Sequence, residues 1–247
     1  MFIVDILLFV ISVALGMQMR RYEGDTLMNN KGGPRKLVVM VSSSVYGIEE
    51  LLDRIYTLLT AFNYEVWMSH KGTMPVSSSR SCFDNCLAAV EKCDLFLGLI
   101  TTHYGSGKES KNGLSITHRE LLRAIELKKP RWILVHDHVV FARTLLANLV
   151  TPDKGIRPKL KLKRNAVIDD LQVIDMYDAV VSSGLPIPAR KGNWAQKYRT
   201  SEDAMLYATA QFSRYQEVEQ FVQENLKDEP AVRACLESGH GRKGGRK

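Results

Sequence analysis

A carboxylate, an imidazole and a run of hydroxyls are the side chains of this sequence best placed to do chemistry. In Ser115 to Pro130, "SITHRELLRAIELKKP", the residues Leu121, Leu122, Ala124, Ile125 and Leu127 form an apolar arc at helical spacing. Arg119, Arg123 and Glu126 project from the opposite side. His118 falls inside the apolar arc, and Glu120 lies on its flank, between the directions of Ala124 and Leu127. An acid turned away from solvent is a candidate for acid–base or electrostatic work. Two readings stay open. Thr117-His118-Arg119-Glu120 fits a capping box, in which the Glu reaches back to the cap amide. With Ser115 as the cap, Glu120 falls in the second turn and a ligand is the better explanation.

Other stretches offer weaker signals. Ser42-Ser43-Ser44-Val45-Tyr46-Gly47 closes an apolar run just before a helix, where backbone amides and hydroxyls suit an anionic group. Ser is also a preferred helix cap, so that reading competes. Gly105-Ser106-Gly107-Lys108 is not a phosphate loop, because Thr102 stands where Gly is needed and Glu109 where Ser or Thr is needed. It reads as a loop whose first residue, Tyr104, is placed to close over a ligand. His136-Asp137-His138 puts two imidazoles on one face of a strand end, but a metal wants a third protein ligand. None is evident nearby, so a structural role and no metal are expected. Cys82 and Cys86 are one helical turn apart and are expected to be core or semi-buried thiols.

The elements that position these groups follow from periodicity. Leu37–Val41, Tyr64–Met68, Asp94–Ile100 and Arg131–Val135 read as strands, the first, third and fourth as fully buried runs. Helices are expected at Ile48–Phe62, Phe83–Val90, the stretch holding Glu120, Phe141–Val150 and Glu202–Leu226, whereas Val167–Val181 fits strand or helix. Alternation of strand and helix predicts an α/β fold: an open parallel sheet sandwiched by helices, flavodoxin- or Rossmann-like, with a C-terminal helical extension. Ligands of such sheets bind beyond the carboxyl ends of the strands, where strand order reverses. The loops to inspect are therefore Ser42–Gly47, Ser69–Ser81, Thr101–Leu114 and His136–Val139. The expected organisation is an apolar segment and linker at 1–35, a nucleotide-binding-like domain at 36–150, a basic linker at 151–164, the helical extension at 165–230 and a basic tail at 231–247. Within the basic linker, Pro158–Lys163 alternates like a lysine-protected edge strand.

Composition narrows the class. With 247 residues, 45% of them hydrophobic, the chain can bury one sizeable core. Four cysteines at these spacings do not make a disulfide framework, which points to a reducing cytoplasm. The net charge of +7 is local: six cations lie in 154–164 and four in 242–247, leaving −3 elsewhere (7 − 10). Solvated basic stretches explain that pattern better than nucleic-acid binding. Phe2 to Met17 is apolar apart from Asp5, Ser12 and Gly16, and Arg20 and Arg21 follow. It reads either as a marginal membrane anchor or as an overextended reading frame whose working start is near Met28.

Three segments carry a resemblance: "VMVSSSVYGIEELLDRIYTLL", "CDLFLGLITTHYGSG" and "SITHRELLRAIELKKPRWILV" are similar to the bacterial domain of unknown function 4062. The similarity runs from about Lys36 to Leu149 and continues to about Leu226. More distantly, the chain resembles nucleoside deoxyribosyltransferases and TIR domains, which place a Glu on a helix before a strand. That resemblance implies that Glu120 acts at the sugar carbon of a nucleoside or NAD, with His118 orienting it or donating a proton. It further implies that Ser42, Ser43 and Ser44 hold a phosphate or ribose hydroxyl, that Tyr46 matches a ligand-contacting Tyr, and that Trp67 or Tyr104 stacks on the base. The expected function is cleavage of a nucleotide or nucleoside N-glycosidic bond, as in a bacterial defence effector, without a resident cofactor. Gly113–His118 stands where the deoxyribosyltransferases carry an Asp-rich approach, which favours the alternative of a non-catalytic nucleotide-sensing or TIR-like interaction domain. Expected partners are a nucleotide or nucleoside, a second copy of the chain, and a membrane through residues 2–17.

Overall fold

Alternation along the strands divides the apolar residues between two layers. In the computed structural model, which describes residues 36–105, 107–108, 113–149 and 167–226, five parallel strands form one sheet in the order β2-β1-β3-β4-β5. They are β1 (Val38–Ser43), β2 (Glu65–Trp67), β3 (Leu95–Ile100), β4 (Arg131–His136) and β5 (Ala195–Tyr198). Six helices flank them: α1 (Glu49–Ala61), α2 (Cys82–Lys92), α3 (Ile116–Glu126), α4 (Asp137–Leu149), α5 (Gln172–Val180) and α6 (Ser201–Leu226). Val38, Met40, Phe96, Ile100, Ile133 and Val135 face the core that α2, α3 and α5 cover. Val39, Val41, Leu97, Leu99 and Leu134 face α1 and α6. This is the open α/β architecture that the strand–helix alternation predicts, and order reverses between β1 and β3.

The differences from expectation are local and have physical causes. Pairing with β3 carries β1 past the apolar run, so Ser42 and Ser43 are strand residues opposite Gly98 and Leu99. The region after residue 165 contributes a strand as well as helices: Ala195–Tyr198 pairs with β4 as an edge, where a short, half-polar segment suffices. Val167–Val181 resolves into α5, whose Val173, Ile174, Met176 and Val180 are buried. Residues 1–35, 150–166 and 227–247 lie outside the described residues, and with them the apolar N-terminal segment, the Pro158–Lys163 reading and both basic stretches. Among the described residues no helix is long and apolar enough to cross a membrane.

Candidate functional site at the β1–β3 switch point

The cap of α3 removes the capping-box reading of Glu120. Ser115 is the N-cap, with its hydroxyl accepting the His118 amide. Glu120 therefore lies in the second turn, beyond capping reach. The face of α3 turned inward comprises Thr117, His118, Glu120, Leu121 and Ala124, while Leu127 is exposed. Glu120 is 6% exposed, and its carboxylate accepts the Ser42 hydroxyl at 2.5 Å. Ser42 shares the sheet face of Val38 and Met40, so β1 presents it to α3 at the carboxyl edge. The neighbour of Ser42 in register is Gly98, where a Cβ would lie 2.9 Å from Ile133 Cδ1 and 3.8 Å from Leu121 Cδ1. The missing side chain lets α3 pack close to the strand beside Ser42.

Burial raises the Glu120 pKa to about 7, against hydrogen bonds from Ser42 and Cys86 that favour the ionised form. The acid therefore changes protonation state near neutrality. Cys86, from α2, is raised by its own burial and by the Glu120 charge, and remains a thiol. Nothing in the sequence linked Cys86 to Glu120; its helical register showed only that it faces inward.

His118 and Tyr104 form a second buried pair. The Tyr104 hydroxyl accepts the Ser115 amide at 3.1 Å and lies 2.8 Å from His118 Nδ1. If the phenol donates to Nδ1, the imidazole proton rests on Nε2. Burial lowers the His118 pKa to about 4, so the ring is neutral at neutral pH and is a hydrogen-bond donor rather than an imidazolium acid. Lys108 Nζ sits 4.9 Å from the centre of the Tyr104 ring and pairs with Asp170. Tyr104 is thus fixed in the core and does not overhang an open groove. The loop that carries it is held by Asp169, which accepts the Tyr104 amide, and by Thr101, whose hydroxyl meets Ser44 at 2.6 Å. Gly105, at φ +91°, passes over Ser44, Ser115 and Thr117, a conformation that suits glycine.

The remaining candidates divide. Ser44 is buried against Thr101, while Ser43 turns to the other face and bonds the Ser44 carbonyl. None of the three caps α1, whose N-cap is Ile48 without a side-chain bond. Tyr46 is 74% exposed and stands edge-on to His103 at 5.3 Å, at the rim of the crevice. Trp67 is tied to Glu65 on the edge strand, level with Met40 and short of the Ser42 position, and its bond does not join it to the Glu120 cluster. The structure thus gathers Ser42, Ser44, Thr101, Tyr104, Ser115, Thr117, His118 and Glu120 beyond β1 and β3. A depression of about 550 Å³ lies at the opposite end of the sheet, lined by Glu91, Asp94, Arg123 and Lys129. Its groups are paired with one another and with the carbonyls that end α2, so we read it as packing beside the amino ends of the strands.

The family model for the domain of unknown function DUF4062 matches residues 38–172, more than half of the chain. The chain belongs to this family. No curated protein and no solved structure matches it. The DUF4062 match contains every residue of the candidate site described above, and ends as α5 begins.

Proposed function

We propose that this domain cleaves the N-glycosidic bond of a nucleotide or nucleoside, NAD included, with Glu120 as the carboxylate at the sugar. The observation that carries the reading is a buried acid at the strand-order reversal, tied to Ser42 at 2.5 Å and titrating at about 7. Breaking the C–N bond sends its electron pair to the base and leaves positive charge on the sugar. An ionised carboxylate stabilises or captures that cation, as in glycosidases; water then forms the new C–O bond, and the proton it loses passes to the departing base of a nucleoside or, where the base leaves neutral as from NAD, to solvent. A cationic sugar also favours the ionised form of Glu120. Neutral His118 donates its Nε2 proton as a hydrogen bond, Ser42 and Ser44 offer hydroxyls to ribose or phosphate, and Tyr46 offers a ring at the rim.

The test is release of free base from NAD and a nucleoside panel by the purified full chain, followed by chromatography. Wild type should release base, and Glu120→Gln should lower the rate by about a hundredfold or more. No release by wild type removes the enzymatic reading; release indifferent to the substitution removes Glu120 from it. A second reading is nucleotide sensing without catalysis, favoured by the closure of Glu120 under Ser42 and Cys86. Saturable nucleotide binding without base release would select it.

A further inference from the structure

His136 ends β4, and Asp137 and His138 open α4. The turn from strand to helix folds three successive side chains toward one point. Asp137 Oδ1 lies 3.2 Å from His136 Nδ1 and 3.9 Å from His138 Nε2, and the three side chains each offer one ligand atom within 4.8 Å of the other two. The two imidazoles stand 4.6 Å apart between centres, edge to face.

Two buried polar atoms here have no hydrogen-bond partner among the described residues: Asp137 Oδ1 and the Tyr198 hydroxyl. His136 Nδ1 does not satisfy the carboxylate, because it already receives the His138 amide at 3.2 Å. In the neutral ring, a nitrogen that accepts there carries no proton for the carboxylate 3.2 Å away. Tyr198, 3% exposed, occupies the β5 position opposite His136 and turns its ring edge-on to it at 5.4 Å. Arg199, 80% exposed and 3.9 Å from the other Asp137 oxygen, is a weak counter-charge. An unpaired buried carboxylate oxygen is costly, and a cation held between the acceptors removes that cost.

We propose that His136, Asp137 and His138 bind a divalent first-row transition-metal ion, zinc being the first to try. Two imidazoles and one carboxylate suit such an ion, whereas calcium and magnesium prefer oxygen ligands throughout. The third ligand is the Asp between the two histidines. Zinc holds nitrogen and oxygen at about 2.0 to 2.2 Å. Closing the 3.9 Å gap needs a turn of His138, whose half-exposed ring has room to move. Ligation through His136 Nδ1 displaces the His138 amide bond. Three protein ligands leave open positions for water or substrate, near the buried Tyr198 hydroxyl. His136 points to the sheet face opposite that of Ser42, so the metal site stands or falls apart from the chemistry of Glu120.

The tag-free full chain, dialysed against chelator, is titrated calorimetrically with Zn²⁺ and spectroscopically with Co²⁺. One ion per chain is expected, with a Co²⁺ spectrum lacking thiolate charge transfer. Asp137→Asn and His138→Ala should each weaken binding by about tenfold or more with unchanged circular dichroism, and Cys82→Ser should bind as wild type. Failure of the folded wild type to bind stoichiometrically overturns the assignment. Binding that survives both ligand substitutions, or a thiolate band that Cys82→Ser abolishes, overturns it equally.

Discussion

Glu120 and His118 are two residues apart on α3, and burial drives their proton affinities in opposite senses. Glu120 titrates at about 7 in the folded chain against an ordinary 4.5. Between those values the native state keeps a proton that the unfolded chain has released, so stability falls as pH rises. His118 titrates at about 4 against 6.5. There the unfolded chain holds the extra proton, and stability rises with pH. The two slopes oppose each other from pH 4.5 to 6.5. Glu120→Gln leaves the histidine slope alone, so urea midpoints should climb from pH 4 to 6.5 and then level. His118→Asn leaves the acid, so the unfolding free energy should fall from pH 4.5 to 7 by an amount on the order of 3 kcal/mol, and the urea midpoint with it. Parallel pH profiles in the two variants would contradict both assignments. Ser42 donates a hydrogen bond to the ionised carboxylate, so under the proposed reaction Ser42→Ala should move the Glu120-dependent limb of the base-release profile to higher pH.

Among the elements, α3 depends on a missing side chain in β3. Gly98→Ala would place a methyl 2.9 Å from Ile133 Cδ1 and 3.1 Å from Phe96 Cε1 in the layer beneath Leu121. Both neighbours are fully buried, so the cost should be about 1 to 3 kcal/mol, read as a lowered urea midpoint with an unchanged slope. The main elements were legible because their apolar residues repeat at the period of a buried strand or a one-sided helix. Leu51, Leu52, Ile55 and Leu59 are buried as their spacing on α1 requires. The inward turn of Glu120 was legible from angle alone, but its partners were not. Ser42 is 78 positions away, and only strand order brings it to α3. β5 escaped notice because Ala195–Tyr198 has one strand neighbour and little apolar pattern. The convergence of Asp137 with His136 and His138 was not legible because a strand sends adjacent side chains to opposite faces, and the chain turns into α4 at that residue.

For the whole molecule, the family match stops at residue 172 while the fold continues. Tyr64 donates its hydroxyl to the Phe212 carbonyl at 2.9 Å, and the two rings meet edge to face. α6 thereby covers the same sheet layer as α1, with Ala204 and Phe212 in one cluster with Leu52, Ile55 and Leu134. Ending the chain after residue 183 removes β5 and α6 and bares that layer. The truncated protein should aggregate or lose its near-ultraviolet circular dichroism; a soluble, native-like product would show that the earlier elements suffice. The burial of Glu120, His118 and Tyr104 also bears on time. Under the proposed function, a nucleotide meets the acid only after the side chains that bury it have parted, so engagement would be opening followed by docking. Its observed rate should level off at the opening rate as nucleotide concentration increases, and the apparent affinity should be weakened by the fraction of time the crevice stays shut.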